Sequence, residues 1–97
     1  MSKAYFVYIM ASRRNGTLYI GMTSDLMRRV WEHREGEIDG FTKRYGTKTL
    51  VYFEVFEDVY AAIHRENRLK KYKREWKINL IQQNNIEWND LYETLNG

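Results

Sequence analysis

Tyr5-Phe6-Val7-Tyr8-Ile9-Met10-Ala11-Ser12, the polar Arg13-Arg14-Asn15-Gly16 and Thr17-Leu18-Tyr19-Ile20-Gly21-Met22-Thr23 together decide the fold. Two runs rich in aromatic and β-branched residues flank an Asn-Gly pair, the strongest short-range signal for a hairpin. Taking residues 13–16 as the loop sets Ser12 opposite Thr17 and Tyr8 opposite Gly21. Tyr19 then lies two residues along, on the same face as Tyr8. A two-residue Asn15-Gly16 loop keeps that parity, so both phenols share a face either way. Gly21 leaves open space beside Tyr8 where a side chain would otherwise stand. Two phenols beside a gap can build a site, although core tyrosines on a strand would have the same spacing.

Beyond the hairpin, Thr23 or Ser24 can cap a helix that begins near Asp25, whose carboxylate suits the positive helix start. Its apolar side carries Leu26, Val30 and Trp31, and it should fade near Gly36. Arg29 and His33 stand at i and i+4, one above the other. An arginine so placed can bind phosphate through two parallel hydrogen bonds, or it can be a surface residue beside a solvent-facing histidine. Residues 36–48 hold three glycines with Lys43, Arg44 and Lys48, and read as a mobile basic loop. Thr49 to Phe56 is a third strand, and Asp58 caps a long helical stretch after it. Trp76, Leu80 and Ile81 continue an apolar face, in the same helix or after a bend. Trp88, Leu91, Tyr92 and Leu95 have the spacing of a short amphipathic helix. The order β-β-α-β-α-α implies an α/β (α+β) fold, a small three-stranded sheet covered by helices.

Composition sets the bounds. Ninety-seven residues suit a single domain spanning 1–97. Eight Tyr, four Phe and three Trp can fill a core without disulfides. Cysteine is absent, which excludes disulfide staples, thiolate zinc sites and cysteine nucleophiles. The N-terminus lacks the apolar segment of a secretory signal, and no apolar run approaches a membrane span, so a cytoplasmic location is expected. Net charge is +3. Between Arg65 and Lys77 stand seven cations against two acids, Glu66 and Glu75. With the loop cations Lys43 and Arg44, the cations Arg68, Lys70, Lys71 and Lys73 are candidates for contacting nucleic-acid phosphates, or simply a solvated helix face. Within that helix Ala62, Ile63 and Leu69 surround Glu66 at i−4, i−3 and i+3, which places an acid on the apolar side. A salt bridge or a divalent cation would satisfy it there.

Tyr8, Tyr19-Ile20-Gly21, Arg29, His33 and Glu66, in this order, resemble the GIY-YIG endonuclease domain, and the chain is similar to small stand-alone bacterial GIY-YIG proteins. Their pattern resembles Tyr-Val-Tyr-Ile, then Asn-Gly-x-Leu-Tyr-Ile-Gly-x-Thr-x-Asp-Leu-x-x-Arg, then Ala-x-x-x-Glu-x-x-Leu-Lys. Here the matching stretches are Tyr5 to Ile9, Asn15 to Arg29 and Ala62 to Lys70. The first departs from the family, keeping Tyr8 but carrying Phe6-Val7 where Gly-Ile is usual. For the family's late Asn, Asn79 and Asn85 are both candidates, with Asn85 favoured.

The resemblance implies a three-stranded antiparallel sheet and one divalent metal, Mg²⁺ or Mn²⁺, held by Glu66. It implies that Tyr19 is general base or water activator, that Tyr8 assists, that Arg29 steadies the scissile phosphate, and that His33, Gly21 and Asn85 complete or support the site. The implied activity is endonuclease cleavage of DNA, in repair or processing, by a monomer. A protein partner, DNA shape, or a damaged or branched structure would supply specificity. Elementary chemistry sets the requirement. A free phenol has a pKa near 10, so only about one in a thousand is ionised at neutral pH, and lowering it by about three units needs roughly 4 kcal/mol. The alternatives are a binding module of the same fold with little catalysis, and an interaction domain that uses the Trp88–Leu95 segment.

Overall fold

The computed structural model describes residues 3–36, 40 and 44–96. Strands β1 (Tyr5–Ala11) and β2 (Leu18–Thr23) form the expected hairpin. Its loop closes where the Ser12 N–H donates to the Thr17 carbonyl (3.0 Å) and the Gly16 N–H to that of Arg13 (2.8 Å). Asn15 takes the left-handed conformation (φ 57°) that an Asn tolerates better than most residues. Tyr8 faces Gly21, the register that loop parity requires.

β3 (Thr49–Phe56) pairs antiparallel with the other edge of β1, so the sheet order is β2-β1-β3. A bulge lies in that pairing, because Ile9 faces Tyr52 while Met10 faces Leu50. As the central strand β1 is covered on both faces, and Val7 to Ala11 are all buried. Its odd residues Val7, Ile9 and Ala11 join Ile20 and Val51 against one group of helices. These are α2 (Val59–Lys70), through Ala62 and Leu69, and α3 (Arg74–Asn84), through Ile81, with Trp88 beyond them. Its even residues Tyr8 and Met10 pack with Leu50 against Leu26 and Val30 of α1 (Leu26–Glu35), and against Leu91, Tyr92 and Leu95. The result is the expected α+β arrangement, a three-stranded antiparallel sheet between helical layers.

Several local expectations need correction. Asp25, rather than Thr23 or Ser24, caps α1: its carboxylate accepts from the Arg28 N–H (3.2 Å), and the Thr23 hydroxyl accepts from the Asp25 N–H (3.0 Å). Trp31 points out to solvent, while His33, one turn beyond Val30, is the buried residue. Ile63 likewise faces outward, leaving Ala62 and Leu69 as the buried neighbours of Glu66. The long helical stretch is two helices, broken at Lys71–Lys73. Asp58 does cap the first, accepting from the N–H groups of Tyr60 (3.4 Å) and Ala61 (3.1 Å). The break is fixed from afar: Arg74 donates to the carbonyls of Asn15 and Gly16, both at 2.6 Å, tying the start of α3 to the hairpin loop.

The C-terminal segment is a 3₁₀ helix over Leu91–Asn96 instead of an amphipathic α-helix from Trp88. Trp88 lies outside it with φ 57°, in the opposite core. Asp90 anchors the segment, accepting from Arg34 (2.5 Å), the Leu50 N–H (3.2 Å) and the Tyr92 N–H (3.1 Å). Of the expected basic loop, residues 37–39 and 41–43, including Lys43, lie outside the described residues.

Candidate active site

The sheet face carrying Tyr8 and Tyr19 is where the chemistry gathers. Tyr8 is 1% exposed, and its ring lies across the backbone of its partner Gly21. A Cβ added to Gly21 would stand 2.5 Å from the Tyr8 hydroxyl oxygen, 2.7 Å from its Cζ and 3.0 Å from Cε1 of Tyr19. Real carbon contacts do not approach so closely, so the missing side chain is what lets both rings sit there. The gap read from the sequence as open space is filled by the phenol itself.

α1 closes the cluster from above. His33, fully buried, brings Nε2 to 3.1 Å from the Tyr8 hydroxyl. Its ring meets Tyr19 edge-on at 4.9 Å and Tyr8 at 5.6 Å, while the two tyrosine rings are 6.2 Å apart. Three aromatic groups with polar tips thus converge from three elements. Burial pushes the Tyr8 phenol above its ordinary range, and the nearby Tyr19 adds to this; Arg29 opposes it and Glu66 reinforces it. Burial, and secondarily Arg29, pulls His33 down to about 4. At neutral pH Tyr8 therefore keeps its proton and His33 is an uncharged imidazole. With the ring proton on Nδ1, Nε2 accepts from the Tyr8 hydroxyl.

The two charged members lie at the rim. Arg29 is half-exposed and contacts Glu32 at 3.4 Å within its own helix. Such a pair stabilises by less than about 1 kcal/mol, so a phosphate can exchange for it. Glu66 rides on α2, with its side chain 19% exposed, and the Lys70 ammonium lies 3.0 Å from its carboxylate. Tyr8 feels the charges of both Arg29 and Glu66, which puts the acid and the guanidinium in one electrostatic neighbourhood with the phenols. The salt bridge that the sequence allows for Glu66 is thus made by Lys70, at the i, i+4 spacing that favours such a pair in a helix.

A single carboxylate is a particular kind of metal donor. Among the described residues no group of three or more His, Asp or Glu side chains could hold a cation. That set suits a hard ion such as Mg²⁺ or Mn²⁺, which retains its waters and takes further oxygens from a substrate phosphate, and it does not suit a resident zinc.

Other expected site residues lie elsewhere. Asn85 is buried in the opposite layer, donating to the carbonyls of Val51 (3.1 Å) and Asn89 (2.9 Å) and accepting from the Asn89 N–H (2.9 Å). Its amide ties β3 to the chain leaving α3. Arg44, Arg68, Lys70, Lys71 and Lys73 are exposed. Arg65, one of the seven clustered cations, is withdrawn from that surface by a two-pronged pair with Glu54 (Nε to Oε1 3.0 Å, Nη2 to Oε2 2.8 Å).

A family model described as the GIY-YIG catalytic domain matches residues 4–79, which include Tyr8, Tyr19, Arg29, His33 and Glu66. The chain belongs to the GIY-YIG family. GIY-YIG proteins are a nuclease family whose substrates are nucleic acids and whose members generally use divalent metals. Among relatives, a UPF0213 protein of Haloquadratum walsbyi is 39% identical over 83 residues, covering 86% of this chain and 92% of the relative. UPF0213 proteins of Staphylococcus aureus are 36% identical over 80 residues, covering 82% of this chain and 96% of theirs. The solution NMR structure of a UPF0213 protein from Bacillus halodurans superposes with a TM-score of 0.56 at 26% identity, covering 90% of this chain and 92% of that one. Among the described residues of this GIY-YIG chain, no helix is long and apolar enough to cross a membrane.

Proposed function

We propose that this protein is a divalent-metal-dependent endonuclease that hydrolyses DNA phosphodiester bonds, acting as a monomeric cytoplasmic domain in DNA repair or processing. The observation that carries the reading is the convergence of Tyr8, Tyr19 and His33 with the charges of Arg29 and Glu66. Arg29 gives up its weak contact with Glu32 and binds the non-bridging oxygens of the scissile phosphate. A water oxygen then bonds to phosphorus as the bond to the leaving sugar oxygen breaks. Tyr19, at the less buried end of the cluster, accepts the proton of that water as its own hydroxyl proton passes to solvent. Tyr8 keeps its proton, directs it at His33 and fixes the ring against which Tyr19 packs. Glu66 would hold the divalent cation, which would supply stabilisation of the negative charge on the departing oxygen. The proton that this oxygen acquires comes from solvent.

The Glu66–Lys70 pair favours a second reading, a nucleic-acid-binding module of the same fold with little catalysis, because it leaves the acid satisfied without metal. One experiment separates the two. Purified protein is incubated with supercoiled, nicked, branched and single-stranded DNA, with Mg²⁺ or Mn²⁺. Cleavage that disappears in Glu66→Ala is expected. No product on any substrate, or equal cleavage by the variant, overturns the enzyme reading. Salt-sensitive binding without cleavage would then select the module.

A further inference from the structure

The surface at the α2–α3 junction is unlike an ordinary solvated basic face, because aromatic rings are interleaved with its cations. The Arg65 guanidinium lies 5.8 Å from the centre of the Tyr72 ring, whose hydroxyl accepts from Arg65 at 3.3 Å. Tyr72 meets Trp76 edge-on, with ring centres 5.6 Å apart and planes at 88°. Lys73 Nζ stands 5.4 Å from the Trp76 ring centre. Trp76 itself is 48% exposed.

A cleft of about 350 Å³ adjoins this ladder, lined by His64, Asn67, Arg68 and Lys71. His64, Asn67 and Arg68 on α2 and Lys71 at its C-cap stand at i, i+3, i+4 and i+7, so they form one stripe along the helix and its end. The two features are continuous. Tyr72 joins them: its phenol is held below its ordinary range chiefly by the hydrogen bond from Arg65 and secondarily by the nearby Arg68. The cleft has the size of a small-ligand pocket. Two cations that suit phosphate stand with an amide and an imidazole that can bond a base edge, and beyond Lys71 the ladder continues through Tyr72 to the half-exposed indole of Trp76.

We propose that this strip binds an unpaired segment of the DNA substrate, with Arg68 and Lys71 on its phosphates and a base stacked on Trp76. Aromatic platforms beside a basic track are how single strands are held without sequence preference, since every base has a face to stack. A duplex keeps its bases inside and can use only the cations. The inference deepens the endonuclease reading by naming the substrate class, a DNA with a single-stranded arm or gap. It is tested without cleavage, so the two can fail separately.

Binding is measured by fluorescence anisotropy in EDTA with three labelled probes: an oligothymidine of about a dozen nucleotides, an abasic strand of equal length and charge, and a duplex. The wild-type protein should prefer oligothymidine to the abasic strand. Trp76→Ala should weaken oligothymidine binding by at least about fivefold and change abasic and duplex binding by less than about twofold. Trp76→Phe, which keeps a stacking face, should recover part of the loss. Trp31→Ala is the control, because Trp31 is also 48% exposed but lies on α1. Equal wild-type affinity for thymidine and abasic strands overturns the proposal. So does an equal loss on both strands in Trp76→Ala, or a matching loss in Trp31→Ala.

Discussion

Replacing Gly21 with alanine should destabilise this protein and disable its site, against the usual effect of that change in a strand. Glycine within a strand costs roughly 0.5–1 kcal/mol relative to alanine, so an unobstructed Gly→Ala exchange there is stabilising. At Gly21 the new Cβ meets the Tyr8 hydroxyl at 2.5 Å and Cζ at 2.7 Å. Relief by rotation is blocked, because the Tyr8 ring is buried and its hydroxyl is held at 3.1 Å from His33. Overpacking of this kind costs about 1–3 kcal/mol, which for a domain of this size lowers Tm by at least about 4 °C. The assay is urea and thermal unfolding of a double-mutant cycle, Gly21→Ala with Tyr8→Leu. In the wild-type background the alanine should destabilise; in the Tyr8→Leu background, where the shorter side chain clears the space, it should be neutral or stabilising. Loss of DNA cleavage should accompany the destabilisation. A stabilising Gly21→Ala with cleavage intact would refute the account of how the phenols are placed.

His33 makes stability depend on pH with a definite sign. Its folded-state pKa of about 4 lies below the unfolded value near 6.5, so the unfolded chain binds a proton first and stability falls as pH drops from about 6.5 towards 4. From pH 7 to 5 the wild type should lose about 2 kcal/mol more than His33→Gln, measured by urea unfolding; parallel curves would contradict the buried neutral imidazole. On the proposed function, Lys70 competes with the cation for Glu66. Lys70→Gln should tighten Mn²⁺ binding, measured calorimetrically without DNA, by about two- to fivefold, the equivalent of a partly exposed i, i+4 pair, and unchanged or weaker binding would count against it.

The hairpin and the sharing of one face by Tyr8 and Tyr19 were legible because both are local: an Asn-Gly turn and a period of two settle them. The buried side of α1 was only partly legible. Hydrophobicity favoured Trp31, but the buried stripe of Leu26, Val30 and His33 runs at i, i+4 and i+7, which turns position 31 outward and sets His33 against the Tyr8 hydroxyl. Nothing in Lys71-Tyr72-Lys73 breaks a helix, and the turn there is tied by Arg74 to carbonyls far away in sequence. Trp88 fits a helical period but has a left-handed backbone, which no spacing argument reveals. The inward side of Glu66 followed from Ala62 and Leu69, whereas its nearness to Tyr8 is a property of how α2 lies on β1 and β2.

Paramagnetic broadening of side-chain NMR signals by trace Mn²⁺, recorded with a short bound DNA, asks most directly whether a cation and a phosphate meet at this cluster. Signals of Glu66, Tyr19 and Arg29 should broaden first and together, and this should vanish in Glu66→Ala. Broadening centred on another carboxylate, or identical in the variant, would show that the phenols, the guanidinium and the acid do not form one catalytic site.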